Sequence, residues 1–138
     1  MVDLPEKKVG VISCSGECCV GGTVSRVATR TVLEKLRPDQ TVTICLPLFL
    51  AGGAEERAFA RHYPTITVDG CQKLCAKVGT ERYSGKVASS IVVTDLAGNL
   101  GCSKSPLRRQ LDQEALLSSE KVAQEIAHEV DEVLKNWR

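Results

Sequence analysis

Three short apolar runs in this chain each end at a cysteine: Val9-Gly10-Val11-Ile12-Ser13 at Cys14, Thr41-Val42-Thr43-Ile44 at Cys45, and Ile66-Thr67-Val68-Asp69-Gly70 at Cys71. Runs of this length, almost free of charge, read as buried strands, and the segments between them carry helical periodicity. Alternation of strand and helix constrains the fold strongly, because each crossover lays its helix on a face of a parallel sheet. Neighbouring parallel strands finish on the same edge. Three thiols distant in sequence then meet there, which makes a soft-metal site or a reactive-thiol site.

The pattern predicts a first strand over 8–13, a glycine-rich turn at Ser15, Gly16, Gly21 and Gly22, and a helix over 23–36 that Pro38 stops. Val24, Val27, Ala28, Thr31, Val32 and Leu36 share one face of that helix. A second strand is expected over 41–46, a loop over 47–53, a short helix over 54–62, and a third strand over 65–68 that Asp69-Gly70 closes. One or two helical turns over 71–78 and a fourth, very apolar strand over 86–95 follow. From Ser105-Pro106 the pattern is helical, first through Leu107, Leu111 and Leu116, then through an apolar stripe of Val122, Ile126, Val130, Val133 and Trp137, with Glu125, Glu129 and Glu132 largely outside it.

The expected fold is therefore α/β, a three-layer sandwich on a mostly parallel four-stranded sheet in the Rossmann- or flavodoxin-like order 2-1-3-4, with a long C-terminal amphipathic helix. It is read as one domain over 1–138, with the helical extension at about 105–137. The C-terminal stripe suits either the cover of a sheet face or a homodimer seam. The cover is the preferred reading because a small sheet needs one.

Composition narrows the partners. With 18 basic against 17 acidic side chains and no basic stripe interleaved with aromatics, the chain offers little to a polyanion, so nucleic acid is not an expected partner. The longest uncharged apolar stretch, 44–54, contains Pro47, Gly52 and Gly53 and is far short of the roughly 20 residues of a membrane span. Asp3, Glu6, Lys7 and Lys8 leave no room for a secretory apolar core, which places the expected location in the cytosol. There seven cysteines, an odd number with a vicinal pair at Cys18-Cys19, read as metal ligands or working thiols rather than a disulfide framework.

Cys71 and Cys75 are spaced i, i+4, which on a helix puts both side chains on one face and near enough to chelate one ion. With Cys14 and Cys45 they make four thiolates, the tetrahedral sulfur set that zinc prefers. An all-sulfur set disfavours magnesium, calcium and manganese, while an iron–sulfur cluster uses the same ligands and stays open as an alternative. Gly16-Glu17-Cys18-Cys19-Val20-Gly21-Gly22-Thr23 has the glycine spacing of a phosphate loop, but Gly22 stands where its lysine belongs. That loop is either a small-anion site at a helix N-terminus or simply a tight turn, and its Cys18-Cys19 pair lies where a helix dipole favours thiolates. Cys102 is not expected to be a ligand.

Cys14-Ser15-Gly16 after the first strand, Cys45-Leu46-Pro47 after the second, and Asp69-Gly70-Cys71 with Cys75 after the third resemble the DGC family of zinc-binding proteins, named for that Asp-Gly-Cys. The resemblance runs from about Val9 to Asp95 and implies four chelating cysteines, here Cys14, Cys45, Cys71 and Cys75. Cys18, Cys19, Cys102 and the C-terminal helix lie outside what it covers. Three functions stay open on the sequence: a zinc-binding protein for metal handling, sensing or structural support, a thiol-based enzyme or redox protein using Cys14 or Cys18 at the glycine loop, and an iron–sulfur electron carrier. The absence of a base beside either candidate nucleophile places the first ahead.

Overall fold

The fold was obtained as a computed structural model, which describes residues 7–16, 19–98 and 111–137. Cys18, Cys102, Glu17 and the start of the expected C-terminal helical region, with Leu107, lie outside the described residues. Four strands, β1 (Val9–Ser13), β2 (Thr41–Val42), β3 (Thr65–Asp69) and β4 (Ser89–Val92), form one sheet in the order β2-β1-β3-β4, and every pairing is parallel. That is the expected order, with β1 between β2 and β3. The register pairs Ser13 with Val68 and Asp69 with Val92, so β1, β3 and β4 finish nearly level.

Side-chain alternation sorts the sheet into two faces. Val9, Val11, Ile66, Val68 and Ile91 point to one side, where α1 (Val20–Thr31), α5 (Val93–Ala97) and α6 (Gln113–Lys135) cover them. Val24, Ala28 and Val32 of the first helical segment and Val122, Ile126 and Val130 of α6 are almost fully buried in that core. The α6 stripe thus packs within the chain, with Val133 and Trp137 partly buried at its end. Ile12 points to the other side, where Phe59 of α3 (Ala54–His62) and Ala76 of α4 (Cys75–Tyr83) close a smaller cluster, and Cys14, Ile44 and Leu46 pack against it.

Several boundaries differ from the sequence reading for local reasons. Beyond Thr31 the first helix widens into a π-helical stretch, Val32–Leu36, before Pro38. The second strand pairs through two residues only, and Leu46–Leu50 is a short helix, α2, rather than loop, because Pro47 sits in its first turn where a missing N–H costs nothing. The apolar run after Ile91 is split between β4 and α5. No helix among the described residues is long and apolar enough to cross a membrane.

Candidate metal centre

The glycine-rich segment is folded into helix and packing. α1 begins at Val20, so Gly21 and Gly22 form its first turn, although glycine is a poor helix former. Close approach explains them. A Cβ on Gly21 would collide with the carbonyl of Gly70, one on Gly22 with the carbonyl of Gly16, and one on Gly70 would overlap Gly21 C and Gly22 N and stand 2.7 Å from Gly21 O. The turn after β3 therefore lies backbone-on-backbone against the start of α1. Gly21, Gly22 and Thr23 are all buried, and the chain's own Gly16 and Gly70 lie against this turn, where the sequence also allowed an anion.

This contact places the first thiol. Cys14 directly follows β1, and its backbone N–H still donates to Val68 O at 2.9 Å. Its sulfur accepts the Gly70 N–H at 3.3 Å and lies 3.5 Å from the Ser25 hydroxyl. Ser25 is fully buried and donates its hydrogen to Gly22 O at 2.6 Å, so in the sulfur contact the thiol is the donor. The sequence gives Cys14 a role but none to Ser25. Ser25 had a signal all the same, since it falls four residues after Gly21 and three before Ala28, on the buried face of α1.

Asp69 sets the other side. Its side chain is 1% exposed, and it accepts from Ala76 N at 2.6 Å and Lys77 N at 3.2 Å, satisfying two open donors in the first turn of α4. The helix needs this remote cap because its N-cap residue is Leu74, which offers no acceptor and sits at φ 55°. Burial raises the Asp69 carboxyl above its ordinary 3.8, and the two backbone N–H groups and the Lys77 charge pull it back only in part. The sign follows: as pH rises through the window above 3.8, the unfolded carboxyl ionises first, so ionisation of this group costs stability. We expect Asp69→Ala to cost about 1–3 kcal/mol in urea unfolding at pH 7, because two N–H groups lose their acceptors. Asp69→Asn, which keeps one acceptor and carries no buried charge, should lose clearly less.

Cys71 and Cys75 are brought to the same place, but not as a helical pair. α4 starts at Cys75, and Cys71 lies in the turn before it, with Leu74 N donating to Cys71 O at 3.3 Å. The expected helix over 71–78 is thus shifted, because the chain must first turn over the buried Asp69. Although Cys75 is exposed overall, its partial burial raises its thiol pKa, and the nearby groups Cys14, Asp69 and Cys71 raise it further, with Lys73 opposing. Cys14, Cys71 and Cys75 therefore share one electrostatic neighbourhood. Ser15 at φ 53° and Leu74 at φ 55° are in the left-handed region, and each adjoins one of these thiols.

Cys45 stands apart. It lies three residues beyond β2, is exposed, and lines a groove of about 1340 Å³ along Val42, Thr43 and Ile44 with Glu55 and His62. Cys19, the residue before α1, is buried at 6% exposure and makes no side-chain cap. Among the described residues no three of the Cys, His, Asp and Glu side chains are gathered closely enough to grip one ion. The donor chemistry nonetheless fits a thiophilic ion: the candidate ligands are all sulfur, with a backbone N–H aimed at Cys14 and the buried Asp69 carboxylate committed to capping α4.

The sequence model of a family described as the DGC domain matches residues 10–126. The match runs on into α6, beyond the 9–95 span on which the motifs themselves lie. No curated protein and no solved structure matches the chain.

Proposed function

The chain belongs to the DGC-domain family, and from that premise we propose that it binds one zinc ion through thiolates at the carboxyl edge of its sheet and serves in metal handling. The ligands are Cys14, Cys71 and Cys75, with Cys45 as the fourth sulfur at the same edge. One observation carries the reading: the Gly70 N–H, in the turn that leads to Cys71 and Cys75, lies 3.3 Å from the Cys14 sulfur, so thiols from two strand ends converge on one edge of the sheet. A divalent cation is what such thiols hold as thiolates, and binding it releases their protons. Zinc supplies a closed-shell charge that holds thiolates without redox chemistry. The protein's part is to aim Cys14 with the Gly70 N–H and to hold Cys71 and Cys75 through the Asp69 cap.

Exposure of Cys45 and Cys75 favours exchange of the ion over burial for structural support. Among the described residues both hydrophobic clusters are built on aliphatic and aromatic side chains, so the sheet does not depend on the ion for its core. Reduced thiols of this kind belong in a reducing compartment, which is the ground for proposing the cytosol.

Anaerobic purification followed by elemental analysis and an absorbance spectrum tests the reading. The expected product is colourless and carries about one zinc per chain. A brown protein with iron and sulfide would establish a cluster at the same cysteines instead.

A further inference from the structure

The segment that carries Cys45 is held in the wrong orientation for the site just proposed. Cys45 has extended backbone, φ −80° and ψ 101°, so its neighbours point the opposite way from it. Ile44 and Leu46 pack against the cluster of Ile12, Phe59 and Ala76 that also receives Cys14. The thiol between them is exposed on the groove, and it is not among the groups that act on Cys75. Few bonds hold this arrangement: β2 pairs with β1 only at Thr41 and Val42, past that ladder the Thr43 hydroxyl reaches over to Val11 O at 2.7 Å, and the Cys45 carbonyl accepts from Phe49 N at 3.0 Å as α2 begins.

We propose that Cys45 is a swinging ligand: it joins the ion only when the linker between β2 and α2 (residues 43–45) turns over, releasing the Thr43 hydroxyl from Val11 O and the Cys45 carbonyl from Phe49 N. This rests on the reading that Cys14, Cys71 and Cys75 bind a thiophilic ion. Three thiolates leave one corner of zinc's tetrahedron open, and Cys45 is the described thiol on the neighbouring strand end that can reach it. In an extended segment a half-turn exchanges which side chains face inward, so Cys45 goes in as Ile44 comes out. Loading then has two stages, the drawing together of Cys14, Cys71 and Cys75 on the ion and closure by Cys45. Closure changes the groove that Ile44 and Cys45 line, so the loaded and metal-free proteins present different surfaces there.

The test titrates zinc into metal-free protein under anaerobic conditions, counts bound metal by native mass spectrometry, and maps alkylation of Cys45 by peptide. Cys45 should label fast in the metal-free protein and lose that reactivity at one zinc per chain. Cys45→Ser should still take up one zinc but surrender it to a competing chelator faster than the wild type does. Thr43→Val, which removes the restraining hydroxyl, should slow that surrender. Unchanged labelling of Cys45 in the loaded protein overturns the swing, as does loss of zinc from Cys45→Ser as complete as from Cys75→Ser. A wild-type protein that takes no zinc at all overturns both the swing and the site on which it rests.

Discussion

Gly70→Ala should destabilise the protein by about 3 kcal/mol, the upper end for overpacking, out of a total of roughly 5–15 kcal/mol for an ordinary domain. The new methyl has nowhere to go, because it meets backbone atoms of Gly21 and Gly22, which cannot rotate away as a flexible side chain would. Relief requires the β3–α4 turn to lift from α1, and that lift withdraws the Gly70 N–H from Cys14. The variant should therefore lose stability and thiol placement together. Gly79→Ala is the matched control. Gly79 lies inside α4 with nothing within 4 Å of the added carbon, so there alanine should stabilise by about 0.5–1 kcal/mol through helix propensity. Urea unfolding of the two variants reads both signs. Equal and small effects would show that the contact between Gly70 and α1 is not tight in solution.

Cys14→Ser, Cys71→Ser and Cys75→Ser should each lose most of the bound zinc while leaving the fold in place. A serine hydroxyl is a poor zinc ligand at neutral pH, and three thiolates are already the minimum for a tight protein site. The fold survives because the larger core, built on Val9, Val11, Ile66, Val68, α1 and α6, lies on the opposite face from Cys14. Metal content and far-ultraviolet circular dichroism on the same samples separate loss of the site from loss of the protein. Cys19→Ser should keep its metal, since that thiol is buried at the start of α1 and is not among the groups acting on Cys75.

The sheet order was legible because four apolar runs alternate with helical ones, and parallel crossovers leave few ways to arrange them. Placing Cys14, Cys45 and Cys71 at one edge followed from that topology alone. The direction of each side chain did not. The Cys71–Cys75 spacing matches one helical turn, but the chain spends Gly70 to Leu74 turning over a buried carboxylate, with Leu74 in a conformation leucine rarely adopts. Asp69 is legible as a cap for the helix that follows and Gly70 as a turn, but the reach of that cap to Ala76 N, which moves the helix start to Cys75, is not. Composition at 41–46 makes Cys45 a strand end. The ladder nonetheless stops at Val42, and the Thr43 side chain engages the neighbouring strand's Val11 O. The run after Ile91 was ambiguous in principle, since an unbroken apolar stretch has no period to separate a strand from a buried helix.

The Gly21-Gly22 pair shows the opposite case, in which the sequence signal was real and its cause lay elsewhere. Two adjacent glycines after a strand imply either an anion cradle or a turn. In the fold they are the first turn of α1, and their missing side chains make room for Gly16 and Gly70. A single sequence does not carry the partner of Gly21, which lies far along the chain at Gly70 and becomes visible only once β1 and β3 are paired.

Cobalt(II) loaded into the metal-free protein tests the central claim most directly, because it occupies zinc sites and its spectrum reports which atoms hold it. The wild type is expected to give intense sulfur-to-cobalt charge-transfer absorption with the visible bands of a tetrahedral ion, and the Cys71→Ser/Cys75→Ser protein, still folded, is expected to give neither. A pale spectrum from the wild type, typical of cobalt held by oxygen and water, would contradict a thiolate metal site at this sheet edge.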